Sequence, residues 1–229
     1  MKKRFKKKLA AVAVALFLFV GMTAGLVLFM AVGGQGYARV SFGKDYYFLV
    51  KDVEDTTAAA ITGDVYSAGG AGYFLEGDGA VAIACYFKES SAQSVQRSLK
   101  EKGTETRLVV KSSDDLVLRG RKSGYKAQIE SNLQTVDGFA HILYDTANGL
   151  ERSELSQREA KAALDGVVSA LKGLIAGNEG EIFSLWNVAL KEAQRRGEEL
   201  SGGLLFSKDL RYMQTMLCDK TVNLTNYFV

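Results

Sequence analysis

Hydrophobic positions along this chain change their spacing twice. Leu9 to Val32 carries no charge over 24 residues, LAAVAVALFLFVGMTAGLVLFMAV, and an apolar run of about 20 residues crosses a bilayer as a helix. From Asp45 the period is short and mixed. Asp45 to Lys51 (DYYFLVK) is aromatic and β-branched and predicts a strand. Asp55 to Ser67 places Ala58, Ile61, Val65 and Ala68 on one face and predicts a helix stopped at Gly69-Gly70. Gly72 to Glu76 and Ala80 to Phe87 predict two strands joined by Gly77-Asp78-Gly79, a hairpin signal. Ser90 and Gln93 have capping-box spacing before a helix carrying Ala92, Val95 and Leu99 to Gly103, and Thr106 to Lys111 predicts a last strand. The resulting order, β-α-β-β-α-β, is a split βαβ unit with both helices on one sheet face and the other face open.

Beyond residue 124 the spacing becomes helical. Ile129, Leu133, Val136, Ala140, Leu143 and Ala147 form one seam. Ser156 and Glu159 have capping-box spacing ahead of Ala160, Leu164, Val167, Leu171 and Leu174. Ile182, Trp186, Ala189 and Ala193 mark a third helix, and Leu210, Met213, Leu217 and Leu224 a fourth that starts near Ser207. Short connections between amphipathic helices predict an antiparallel bundle. The expected class is α+β: a basic segment 1–8, a transmembrane anchor 9–32, a linker 33–44, the βαββαβ domain 45–112, a linker 113–124 and a helical bundle 125–229.

Charge fixes the direction of the anchor. Lys2, Lys3, Arg4, Lys6, Lys7 and Lys8 precede the apolar run, so the N-terminus is expected in the cytoplasm and the remainder outside the plasma membrane, in a single pass. A cleaved signal peptide has an apolar core of about 7–15 residues and a small-x-small site; here the core is longer and its exit, Ala31-Val32-Gly33-Gly34, is a poor site. Removing the six leading charges from 29 basic residues leaves 23 against 26 acidic ones, so the basic balance gives no support to a nucleic-acid partner. Cys85 and Cys218 are the only cysteines; one distant pair is no disulfide framework, and whether they bridge stays open. Proline is absent, so no ring interrupts the long helices.

Chemistry is sparse. No Gly-Lys-Ser/Thr follows a glycine loop, no serine stands in a Gly-x-Ser-x-Gly elbow, and no carboxylate pair sits in an apolar surround. His141 has only Asp137 and Asp145 one turn away, a pattern that more often marks a satisfied histidine than a metal ligand. The expectation is a protein that is not an enzyme and carries neither cofactor nor metal.

Tyr46-Tyr47-Phe48-Leu49-Val50, Gly72-Tyr73-Phe74, Ala82 to Lys88 and the helix closing in Leu99-Lys100-Glu101-Lys102-Gly103 carry a resemblance. The segment resembles the SPOR domain, a small bacterial module that binds peptidoglycan and commonly follows one membrane anchor. It departs from the family's pattern where Leu49 replaces a glutamine and Cys85-Tyr86-Phe87 replaces Gly-Pro-Phe. The resemblance implies recognition of peptidoglycan glycan strands at division or sporulation septa, through aromatics stacked on sugar rings on the open sheet face. Aligned with the family, Tyr47, Leu49 and Lys51 fall on that face, and Tyr73 and Tyr86 join them as glycan contacts. On this reading the bundle docks an envelope protein. The alternative is a non-catalytic interaction or scaffold protein of the envelope whose βαββαβ unit makes protein contacts, with the sheet aromatics packed against the bundle.

Overall fold

The structure is a computed structural model that describes residues 36–53 and 57–228. The expected anchor, residues 9–32, lies outside the described residues; among those described, no helix is long and apolar enough to cross a membrane. The chain divides into two compact units, one of residues up to Arg39 with Val117–Lys126, the other of Val40–Leu116 with Ala127–Val229.

The described residues are α+β. In order they form β1 (Tyr37–Val40), β2 (Asp45–Asp52), α1 (Ala58–Ser67), β3 (Tyr73–Leu75), β4 (Ala80–Tyr86), α2 (Glu89–Glu101), β5 (Arg107–Ser112) and β6 (Leu116–Arg119). Helices α3 (Lys126–Glu151), α4 (Gln157–Gly177), α5 (Ser184–Ser201) and α6 (Ser207–Val222) follow. Strands β1 and β6 pair as a small sheet of their own. Both lie in stretches expected as linkers, 33–44 and 113–124.

The larger sheet has order β3-β4-β2-β5 and every pair is antiparallel, so β2-α1-β3-β4-α2-β5 is a split βαβ arrangement. Between β3 and β4 the chain makes a 3-10 turn, Glu76–Asp78, and leaves it through Gly79 at φ +58°, a conformation glycine adopts without steric cost. Helix α2 begins one residue before the expected capping serine. Its Ser90–Gln93 box does not form, and the Gln93 amide donates to Glu89 instead, 2.7 Å away. The Ser156–Glu159 box of α4 is complete.

A bulge decides which residues share a face. Leu49 pairs with Ala84 but Val50 pairs with Ala82, leaving Ile83 as the extra residue of β4. Tyr86 and Ala84 therefore share a face with Tyr47 and Leu49, while Ala82 lies on the other, contrary to strict alternation. Ile61 and Val65 of α1 pack on Val81, Phe74 and Ile83, and α2 packs on β2, β4 and β5. The Tyr47–Leu49–Lys51 set thus belongs to the side of α1 and α2. The opposite set, Tyr46, Phe48 and Cys85, meets α3 and α6: Tyr46 donates to Asp137 and Gln214 donates to the Cys85 carbonyl.

Neither face is open. The buried residues include all six α3 seam residues, Ala160, Leu164, Val167 and Leu171 of α4, and Trp186. The expected boundary between a βαββαβ domain and a separate bundle is absent from this unit. Helix α4 packs along α5, and α5 along α6. Tyr227 and Phe228 close one end against Trp186, with ring centroids 5.4 and 5.3 Å away.

Candidate functional site

The five residues expected on an open glycan face are not together on one. Leu49 is 0% exposed, buried on the side that carries α1 and α2, so no ligand reaches it. Tyr47 is half-buried and pairs with Tyr86; Lys51 is exposed near the end of β2. Tyr73 pairs with Ala82 on the opposite face, and its hydroxyl donates to Asp219 of α6 at 3.2 Å. The correction has one physical cause. The family comparison picked the helix-covered face, and the remaining face is covered by α3 and α6.

Among the described residues, one cleft lies at Tyr86 and a smaller one at Tyr73. The larger, about 760 Å³, lies over β4 between α2, the chain leaving α1, the end of α3 and the start of α6. Ile83, Ala84 and Tyr86 from β4 and Val95 and Leu99 from α2 give it apolar surface. Polar groups edge it: Ser90, Ser91 and Ser94 from α2, Asn148 from α3, Arg152 just past its end, and Arg211 from α6. Val95 and Leu99 are only half-buried, because α2 seats fully on the sheet at Ala92 alone. Tyr86 meets Tyr144 edge-on at 6.2 Å and 78°, and burial pushes its phenol up to about 12.

Local chain geometry holds this cleft in shape. A Cβ on Gly70 would lie 2.7 Å from Val65 Cγ1 and 3.2 Å from Ile83 Cγ2, so only glycine lets the chain leave α1 this close to β4. Arg211 pairs with Glu151 of α3 and also reaches the Gly69 carbonyl at 3.3 Å. One guanidinium thereby ties α6, α3 and the end of α1 around the cleft. Beside it Phe87 stacks on His141 at 3.6 Å and 15° and meets Tyr46 and Tyr144 edge-on. His141 lies 3.9 Å from Asp137, which also accepts from Tyr46 at 2.8 Å and faces Lys44 at 3.3 Å. Among the described residues no group of three His, Cys, Asp or Glu is placed to hold a metal ion.

The smaller cleft, about 420 Å³, is lined by Tyr73, Tyr212 and Tyr227 with Glu192 and Lys220. Its charged centre is Lys111, whose ammonium lies 2.7 Å from Asp78 and 3.1 Å from Asp219. Burial alone lowers the Lys111 pKa, but the two carboxylates outweigh it and hold it above the ordinary lysine value. Burial pushes the Tyr73 phenol up, and the nearby Asp219 adds to it. Arg211, Asp219 and Tyr144 were invisible as site residues in the sequence, because only the docking of α3 and α6 on the sheet brings them to β3 and β4.

No family model matches the chain, and none of the curated proteins or solved structures compared with it matches.

Proposed function

We propose that this is a membrane-anchored, non-catalytic binding protein of the bacterial cell envelope. In this reading its SPOR-like unit takes a peptidoglycan glycan strand in the Tyr86 cleft instead of on an open sheet face. The observation that supports it is the make-up of that cleft: one tyrosine on the floor, a second at its edge, and hydroxyl, amide and guanidinium groups around them. Sugar rings present apolar C–H faces that pack on aromatic rings, while their hydroxyls need polar partners at the rim. A volume of about 760 Å³ accepts a short saccharide.

A second reading, an interaction protein whose βαββαβ unit makes protein contacts, is favoured by the closure of the second sheet face by α3 and α6. One experiment separates the two. Full-length protein in detergent is sedimented with purified sacculi before and after amidase removes the stem peptides. Retention that rises after amidase and falls about tenfold in Tyr86→Ala supports the glycan reading, since losing one aromatic contact of about 1.4 kcal/mol is a factor of ten. Circular dichroism of the variant must match wild type. Absence of retention from folded wild-type protein removes the glycan reading and leaves the interaction reading.

A further inference from the structure

The chain's two cysteines stand on different elements, Cys85 on β4 and Cys218 on α6, and both are buried with free thiols. The fold brings them together at the contact that seals the second sheet face. Gln214, one turn before Cys218, places its side-chain nitrogen 3.2 Å from the Cys85 carbonyl and 3.5 Å from Cys218 Sγ. Strand β3 pairs with β4 only as far as Ala82, so this amide satisfies a β4 carbonyl that β3 leaves unpaired. That one amide thus stands between the two cysteines; burial pushes the Cys218 thiol up, and the neighbouring Cys85 thiol adds to it. A disulfide between neighbouring elements needs the two sulfurs to close to about 2.0 Å.

We infer that Cys85 and Cys218 are joined by a disulfide in the mature protein, locking α6 onto β4. The inference rests on the proposed position outside the membrane, where disulfides form and persist. The co-reactant is an external disulfide, either a thiol–disulfide oxidoreductase in its oxidised form or a small-molecule disulfide. One cysteine thiolate attacks it, releases one thiol and forms a mixed disulfide; the second thiolate displaces the other half. The two protein thiols give up two electrons and two protons, and the external disulfide leaves as two thiols. The thiolate is the attacking species, and in the folded protein both thiols are buried and Cys218 is held protonated. Exchange therefore takes place before α6 docks, as the chain emerges and folds. The crosslink then closes the long loop between residues 85 and 218, the kind of loop whose closure restricts the unfolded chain most.

The test uses full-length protein made in a bacterial host with its N-terminal segment intact. Membranes are dissolved under denaturing conditions with a small maleimide that blocks every free thiol. The protein is then reduced and treated with a heavy polyethylene-glycol maleimide. The expected result is two heavy labels per chain, monomeric mobility without reductant, and no heavy label in Cys85→Ala or Cys218→Ala. The oxidised protein is expected to melt roughly 10 °C above its reduced form. Two thiols blocked in the first step, leaving no heavy label, overturn the inference. Refolding the reduced protein in a glutathione redox buffer then identifies which premise failed. A bridge that forms there faults the position outside the membrane, and no bridge there faults the geometry.

Discussion

Lys111→Met removes the cation that stands between Asp78 and Asp219 while keeping the length of the side chain over the Phe48 ring, 5.7 Å away. The ammonium side chain is 17% exposed and its two partners 21% and 16%. Breaking a buried pair by deleting one partner costs about 3–5 kcal/mol, because a charge is left uncompensated. Partial exposure screens some of that, so about 2–3 kcal/mol is expected here. The comparison is Arg107→Ala, which deletes the Asp52 pair at 2.7 Å, whose side chains are 47% and 46% exposed. Exposed pairs are worth about 0–1 kcal/mol. Urea denaturation followed by circular dichroism reads both, and with a slope near 2 kcal/mol/M the Lys111 variant should unfold about 1 M earlier. The raised Lys111 pKa adds a second signature. Its stabilisation is fully present below the unfolded lysine value of about 10.4 and is lost as pH rises through the higher folded value. The wild-type advantage over Lys111→Met must therefore narrow above about pH 10.4. Equal costs for the two variants would refute the view that α6 is held to the sheet by this buried charge.

Three further outcomes follow from other parts of the fold. Leu49→Ala should cost about 2–5 kcal/mol in urea denaturation by opening a cavity on the helix side of the sheet; near-wild-type stability would mean that Leu49 is not core. Gly197→Ala sets helix propensity, a gain of about 1 kcal/mol, against a Cβ that would fall 2.4 Å from Val168 Cγ2; overpacking costs about 1–3 kcal/mol, so thermal melts should show net loss. At alkaline pH, Tyr66, Tyr86 and Tyr227 are each held at about 12, above the usual value of 10.0, chiefly by burial. Their contribution is intact below about pH 10 and is lost as pH rises toward about 12, so unfolding should begin in that window and Tyr86→Phe should flatten it.

Local pattern carried the elements well and the faces poorly, and the difference is physical. The α3 seam from Ile129 to Ala147 and the Ser156–Glu159 box depend on neighbours within a turn or two, and both form as spaced. The split βαβ order follows from strand and helix lengths. Which sheet face is covered depends on contacts between residues as far apart as Tyr46 and Asp137 or Cys85 and Gln214, 91 and 129 positions, and on one bulged residue, Ile83, that nothing in the run AVAIACYF marks.

Helix α6 is where the sequence misleads most. Its apolar positions, Leu210, Met213 and Leu217, trace an ordinary one-sided stripe, which implies a solvated opposite side. In the structure Asp209, Gln214, Thr215, Lys220 and Thr221 are buried as well. Buried polar groups are stable only when partners meet them, and several do. Gln214 reaches the Cys85 carbonyl, Thr221 donates to the Cys218 carbonyl, Lys220 reaches Glu192, and Asp209 accepts from Tyr66. Three of those four partners lie on α1, β4 and α5, outside the helix. A helix that covers a sheet already carrying a polar edge must be polar where it lands, and that same polarity conceals it from any pattern reading. Tyr66→Phe tests this directly. It leaves the Asp209 carboxylate without a donor from α1, and should destabilise the protein by about 1–3 kcal/mol, whereas a solvated α6 face would show almost no change in the urea midpoint.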